Sequence, residues 1–193
     1  ARQLGNDPKG MWMGTFHAIG ARIVRRAAAH LHRTASFTIY DEDEQLSVVK
    51  RLMERHRIAP KQVAPRAVRA AISDAKNGLV GVDEYARLAR DPFTKAVTLV
   101  YADMEQAYRS SNAVDFDDLL VLPVRLLESD PGELARWQRR FDYVLVDEYQ
   151  DTNRAQYRFI NLLSREHRNV CVVGDDDQSI YGWRGAEVDN ILR

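Results

Sequence analysis

The sequence predicts an α/β fold in which a long helical insertion separates strands of one parallel sheet. Three observations carry that prediction. The apolar run from Tyr143 to Val146 ends in Asp147 and Glu148. A second run, Asn169 to Val173, leads into Gly174 and the acids Asp175, Asp176 and Asp177. Both are too short and too rich in β-formers for helices, and 143–146 reads as a buried parallel strand. Between residues 17 and 140, by contrast, the apolar residues recur at helical spacing with no strand pattern among them.

Taken in order, Met11 to Phe16 reads as a short strand of the same sheet. Ala18 to Leu31 is rich in helix formers, with Ile19, Ile23, Val24 and Ala27 on one face. Asp41, with Glu44 three residues later, opens a helix whose apolar stripe is Leu46, Val49, Leu52 and Met53. Further helices are predicted at 65–77, 82–89, 94–110 and 115–127, with Gly78 and Gly81 marking a turn. Asp130-Pro131-Gly132-Glu133 combines an acidic cap, a proline at the first helical position and a first-turn glutamate, so another helix starts there. That helix leads back to the sheet at Phe141.

Composition bounds the class. With 193 residues and 45% apolar content the chain can bury a real core. No apolar run approaches the roughly 20 residues needed to cross a bilayer, and the amino terminus lacks a signal-peptide pattern. The expectation is therefore no membrane association and a reducing, intracellular setting. Cys171, the single cysteine, lies in an apolar run and is expected to be a buried small hydrophobe. Net charge is zero but unevenly spread: residues 1–40 carry +5 and residues 141–193 carry −4. A basic first segment suits phosphate contacts and an acidic last one suits Mg²⁺. Arg22, Arg25, Arg26 and Arg33 fit phosphate binding and a solvated helix face equally well, since arginine outnumbers lysine 23 to five throughout. The histidines show no metal-ligand spacing, so no structural metal is expected.

The acids at the strand end carry the chemistry. In an open α/β sheet ligands sit beyond the carboxyl ends of the strands, which is where Asp147 and Glu148 fall. Phosphoryl transfer needs a carboxylate to organise Mg²⁺ and a group to orient or deprotonate water. Asp147 suits the metal role and Glu148 the base role; the plain alternative is that the pair caps the next helix.

Asp147-Glu148-Tyr149-Gln150-Asp151-Thr152-Asn153 and the thirteen residues Gly174-Asp175-Asp176-Asp177-Gln178-Ser179-Ile180-Tyr181-Gly182-Trp183-Arg184-Gly185-Ala186 resemble motifs II and III of the UvrD/PcrA/Rep helicases of superfamily one. Gly14-Thr15-Phe16-His17 resembles motif Ib, and Val114 to Leu120 is a weaker match, all in the family's order. The resemblance implies a RecA-like P-loop NTPase sheet divided into a strand segment of the first motor domain (1–16), an inserted all-helical accessory subdomain (17–140) and the remainder of that motor domain (141–193). It implies an ATP- and Mg²⁺-dependent DNA helicase moving 3′ to 5′ on single strands and unwinding duplex, in repair or replication.

By the same resemblance Glu148, Gln178 and Gln150 are catalytic candidates, and Asp147, Gln178 and Arg184 nucleotide-binding ones, with Asp147 on the metal. Thr15, Phe16, His17, Tyr181 and Trp183 are the DNA-binding candidates. Gln178 would reach the γ-phosphate or attacking water, and Gln150 would bond that water or bridge motifs II and III. Tyr181 and Trp183 supply aromatic faces that stack on unpaired bases at about 1–3 kcal/mol each; core burial is their bland alternative, as local hydrogen bonding is for His17. One part departs from the family pattern. A P-loop needs Gly-x-x-x-x-Gly-Lys-Ser/Thr, and these residues contain no Gly-Lys pair, only the reversed Lys9-Gly10. The chain is accordingly expected to be an internal fragment that needs the rest of a helicase to turn over ATP. A non-catalytic DNA-binding or scaffolding remnant is the competing reading.

Overall fold

The computed structural model describes residues 10–175. Eight α-helices among them surround two separate two-stranded parallel sheets. Residues 11–15 form no strand: the chain enters α1 (Phe16–Arg26) directly, with Thr15 Oγ1 accepting from the Ala18 amide. Among the described residues no strand pairs with this stretch, while a threonine three residues before a free amide supplies a helix cap. A short 3₁₀ turn (Ala28–Leu31) follows.

The insertion proves mostly, but not wholly, helical. β1 (Thr38–Tyr40) and β2 (Ala113–Asp115) pair in parallel, Ile39 opposite Val114. Between them run α2 (Glu42–Arg55), α3 (Pro65–Asn77), α4 (Val82–Leu88) and α5 (Pro92–Ser110). The start of α2 is the reciprocal capping box its sequence announces: Asp41 Oδ1 accepts from the Glu44 amide at 2.9 Å and Glu44 Oε2 from the Asp41 amide at 2.8 Å. Val49, Leu52 and Met53 of the expected stripe are buried with Val48, whereas Leu46 is half-buried. They pack with Val68 and Ile72 of α3 and Val97, Val100, Tyr101 and Met104 of α5 as one core.

α6 (Asp118–Ser129) is the spine of the molecule and packs on α1, α7 (Pro131–Gln138) and α8 (Arg154–Ser164). Pro123 has no N–H to give to the Leu119 carbonyl one turn back. Against that carbonyl α1 lays Gly20, where a Cβ would collide with Leu119. The close α1–α6 crossing therefore depends on both residues. A second core gathers Ile23, Val124, Leu127, Trp137, Phe159 and Leu163.

β3 (Val144–Val146) and β4 (Val170–Val172) pair in parallel, Leu145 opposite Cys171. The parallel pairing is as expected; the burial is not. Leu145 is 75% exposed, and Cys171, expected inside, is also exposed. Among the described helices α8 is the main one to pack against β3, so the described elements leave most of the pair's surface uncovered.

Candidate functional site

Asp147 and Glu148 follow β3 immediately and are both exposed. The Asp147 Oδ1 accepts from the Glu148 amide at 3.0 Å, and Glu148 itself adopts a left-handed backbone, φ 52°. For a non-glycine residue that conformation costs on the order of 1 kcal/mol, and such strain concentrates where function fixes geometry. The turn brings the Glu148 carboxylate to Gln150, whose Nε2 donates to Oε2 at 2.7 Å.

Gln150 is almost fully buried at the start of a 3₁₀ turn (Tyr149–Asp151) and uses both ends of its amide. Its Oε1 accepts from the Asp175 amide at 3.1 Å. Two backbone bonds tie the same segments: the Val173 amide donates to the Val146 carbonyl at 2.8 Å and the Tyr149 amide to the Val173 carbonyl at 3.0 Å. Gly174 permits this crossing, because a Cβ there would lie 2.6 Å from Gln150 Oε1. One buried amide thus joins the acid pair after β3 to the acid run after β4. Asp151 Oδ1 is buried with no hydrogen-bond partner among the described residues, and Thr152 closes the turn by donating to the Tyr149 carbonyl.

These residues fit a Mg²⁺–nucleotide. Neither Asp147 nor Glu148 is paired with a cation among the described residues, and no cluster of three or more metal-ligating side chains occurs there. Mg²⁺ is commonly held by one or two carboxylates together with phosphates and water, not by an all-protein cage. Gln178, Tyr181, Trp183 and Arg184 lie outside the described residues.

The segment that leads into α1 meets the acid-rich turn after β2. Thr15 is exposed and committed to its capping bond. Phe16 is half-buried and packs on the cluster of Val146, Tyr149 and Ile160. His17 stands edge-on to Phe116, with ring centroids 5.8 Å apart. Burial lowers the His17 imidazole below its ordinary value, against the opposing pull of Asp117, so the ring is neutral at pH 7. Phe116 is 52% exposed. It is the surface aromatic that sequence reasoning missed; the available signal was a lone apolar ring inside Asp115-Phe116-Asp117-Asp118.

The four arginines Arg22, Arg25, Arg26 and Arg33 are occupied. Arg22 and Arg26 lie over the Trp12 ring, Arg25 stacks on Phe37 and donates to the Ala35 carbonyl, and Arg33 is buried with Nε donating to the Ala113 carbonyl.

The whole chain, residues 1–193, matches the UvrD/REP helicase N-terminal domain family. Among curated proteins it is 41% identical over 189 residues to the ATP-dependent DNA helicase PcrA of Bacillus subtilis (strain 168), covering 98% of this chain and 26% of that protein. It is 44% identical over 182 residues to the protein of the same description from Leuconostoc citreum, covering 94% and 24%. A Staphylococcus aureus (strain NCTC 8325 / PS 47) relative, also described as PcrA, is 42% identical over 189 residues. The chain spans about a quarter of the length of these relatives.

Proposed function

The chain belongs to the UvrD/REP helicase family, and on that premise we propose that it forms part of an ATP-driven DNA helicase: the carboxyl-end portion of a RecA-like motor sheet, at 141–193, with the accessory subdomain inserted at 17–140. The observation that supports this reading is the Glu148–Gln150–Asp175 bridge, in which one buried amide holds the exposed strand-end carboxylate and ties it to the second acid run.

In this reading Asp147 holds Mg²⁺, and Mg-ATP when bound supplies the divalent charge that offsets the phosphates. Glu148 is the general base. Gln150 Nε2 occupies Oε2, leaving Oε1 to take the proton of the attacking water. Gln178 and Arg184 extend the nucleotide contacts, and Tyr181 and Trp183 stack on unpaired bases, roles that rest on the motif residues alone. His17 and Phe116 add an exposed aromatic edge for single-stranded DNA. The phosphate-binding loop, the remaining strands and the second motor domain come from the rest of a longer protein. The family resemblance supports 3′-to-5′ movement on single strands, duplex unwinding, a repair or replication role and a place in the bacterial cytoplasm. No helix among the described residues is long and apolar enough to cross a membrane.

The test is single-strand-stimulated ATP hydrolysis by the intact protein beside its Glu148→Gln variant. The variant is expected to lose about 10²–10⁴-fold in turnover, the usual worth of a general base, while still binding single-stranded DNA. Turnover retained in the variant would sink the base assignment.

A further inference from the structure

The end of α3 is joined to both halves of the site. Lys76, fully buried, donates from Nζ to Asp115 Oδ2 at 2.8 Å and to Asp118 Oδ1 at 2.7 Å. The two acids complete a reciprocal pair, the Asp118 amide donating to Asp115 Oδ1 and the Asp115 amide to Asp118 Oδ2. Asn77, the next residue, donates from Nδ2 to Asp117 Oδ1 at 2.9 Å. Every acid flanking Phe116 is therefore gripped from α3, and the exposed ring stands on an immobilised turn.

Asn77 also reaches the other way. Its Oδ1 accepts from Asn153 Nδ2 at 2.7 Å, and Asn153 caps α8 five residues after Glu148, with its own Oδ1 accepting from the Gln156 amide at 2.9 Å. The polarity of this relay is chemically fixed. Asp117 as a carboxylate only accepts, and the α8 cap requires an oxygen from Asn153, so neither amide can turn over without losing a bond. The relay Asp117–Asn77–Asn153 connects the aromatic edge to the turn that holds Glu148 and Gln150.

We infer that Asn77 is a positioning residue that couples the nucleotide turn to the Phe116 edge, so that each reports the other's occupancy. The inference rests on the helicase reading above. Asn77 lies in the insertion and touches neither acid of the pair after β3, so it acts through Asn153 and Asp117. A hydrogen-bonded relay with one allowed polarity is suited to this: a shift of the α8 cap must either be followed by the Asp117 turn or break a part-buried bond. Coupling is reciprocal, so nucleotide state should alter affinity for DNA by the factor with which DNA alters affinity for nucleotide.

The experiment uses the full-length protein carrying Asn77→Ala, Asn153→Asp or both. Asn153→Asp keeps the capping oxygen and replaces the donor to Asn77 with a carboxylate oxygen. ATP hydrolysis is measured with and without oligo-dT, and oligo-dT affinity is measured with ADP and with a non-hydrolysable ATP analogue. Expected is an about tenfold loss of DNA stimulation in each single variant, within the usual 5–150-fold range of allosteric coupling. DNA-free turnover stays unchanged, the two oligo-dT affinities converge, and the double variant is no worse than either single one. DNA stimulation equal to that of the unaltered protein overturns the inference alone. A proportional fall of DNA-free and stimulated turnover overturns it too, since Asn77 would then merely support the fold. An unaltered protein that shows no DNA stimulation overturns the helicase reading and the inference with it.

Discussion

The described residues contain two parallel strand pairs of the same size, three residues per strand, whose second strands have contrasting surroundings. In β1–β2 the second strand, Ala113-Val114-Asp115, is wholly buried beneath α5 and α6. In β3–β4 the more apolar strands Val-Leu-Val and Val-Cys-Val leave Leu145, Val170 and Val172 exposed. Apolarity in a strand thus marks a demand for cover, not its presence. A parallel pair needs both faces covered; β2 has its cover within this chain, and β1 is partly covered, with Ile39 and Tyr40 half-buried and Thr38 exposed. In the proposed reading β3–β4 carries the chemistry and acquires its cover from further strands of a longer chain, as its relatives, about four times as long, suggest. In that reading the better-covered pair is a frame for residues 17–140 and the barer one is the working edge.

The frame can be broken at its buried lysine. Lys76→Met leaves Asp115 and Asp118 facing each other inside the core, and removing one partner of a buried ion pair costs about 3–5 kcal/mol. The expected readout is early hydrogen exchange in α3 and β2 of the intact protein, with β3 little changed. Burial alone would lower the Lys76 ammonium, but Asp118 and Asp115 more than reverse it and hold the group well above its ordinary value. Its stabilising contribution is therefore complete below the ordinary lysine range and is lost only as pH rises through the raised value. Asp115 is pushed up to about 7 by burial, with Asp118 adding to the shift against Lys76. The folded form keeps a proton there that the unfolded chain releases near 3.8, so this carboxyl's contribution falls as pH climbs from about 4 to 7. Without Lys76 the defect should be smaller at pH 5 than at pH 8.

How much of this was legible differs between the two pairs. The helices of the insertion could be read locally: the Asp41–Glu44 box, Pro65 at the first position of α3 and Asp130 before Pro131 are all short-range signals, and each marks a helix start in the structure. β3 and β4 were legible as apolar runs. β1 and β2 were not, because three residues carry no period and the Ala113–Asp115 stretch merges with the helical pattern of α6. Cys171 was misjudged for the opposite reason: its apolar neighbours announce a strand but say nothing of what lies over it. Asp147 and Glu148 stand at a strand end in plain sequence. The grip of Lys76 and Asn77 on partners 39, 42, 40 and 76 residues away has no local signature at all.

A pair of leucine truncations sharpens the contrast. Leu119 is buried with Val24, Phe37 and Val114, and Leu119→Ala should cost about 2–5 kcal/mol through the lost transfer energy and the cavity left behind. Leu145, in the contacts described here, has little to lose. If further strands cover β3–β4 in the intact protein, Leu145→Ala there should cost as much as Leu119→Ala, read as the shift in urea midpoint. A cost below about 0.5 kcal/mol, the level of an ordinary surface change, would show that the working pair stays bare.

The smallest effect is expected at a fully buried side-chain oxygen of the frame that has no hydrogen-bond partner among the described residues. Tyr108 of α5 is buried edge-on to Tyr40, with ring centroids 5.4 Å apart, and Lys76 Nζ lies 5.3 Å from its ring centre. Its hydroxyl has no hydrogen-bond partner among the described residues, and burial pushes the phenol far above its ordinary value. Tyr108→Phe keeps both ring contacts and removes a stranded donor whose desolvation costs about 1–3 kcal/mol. The variant should therefore be as stable as the unaltered protein or slightly more so, by thermal melting at pH 7. A loss above about 1 kcal/mol would mean that the hydroxyl is bonded and that the buried polar network extends beyond Lys76, Asp115 and Asp118; the frame would then owe its closure to more than one cation.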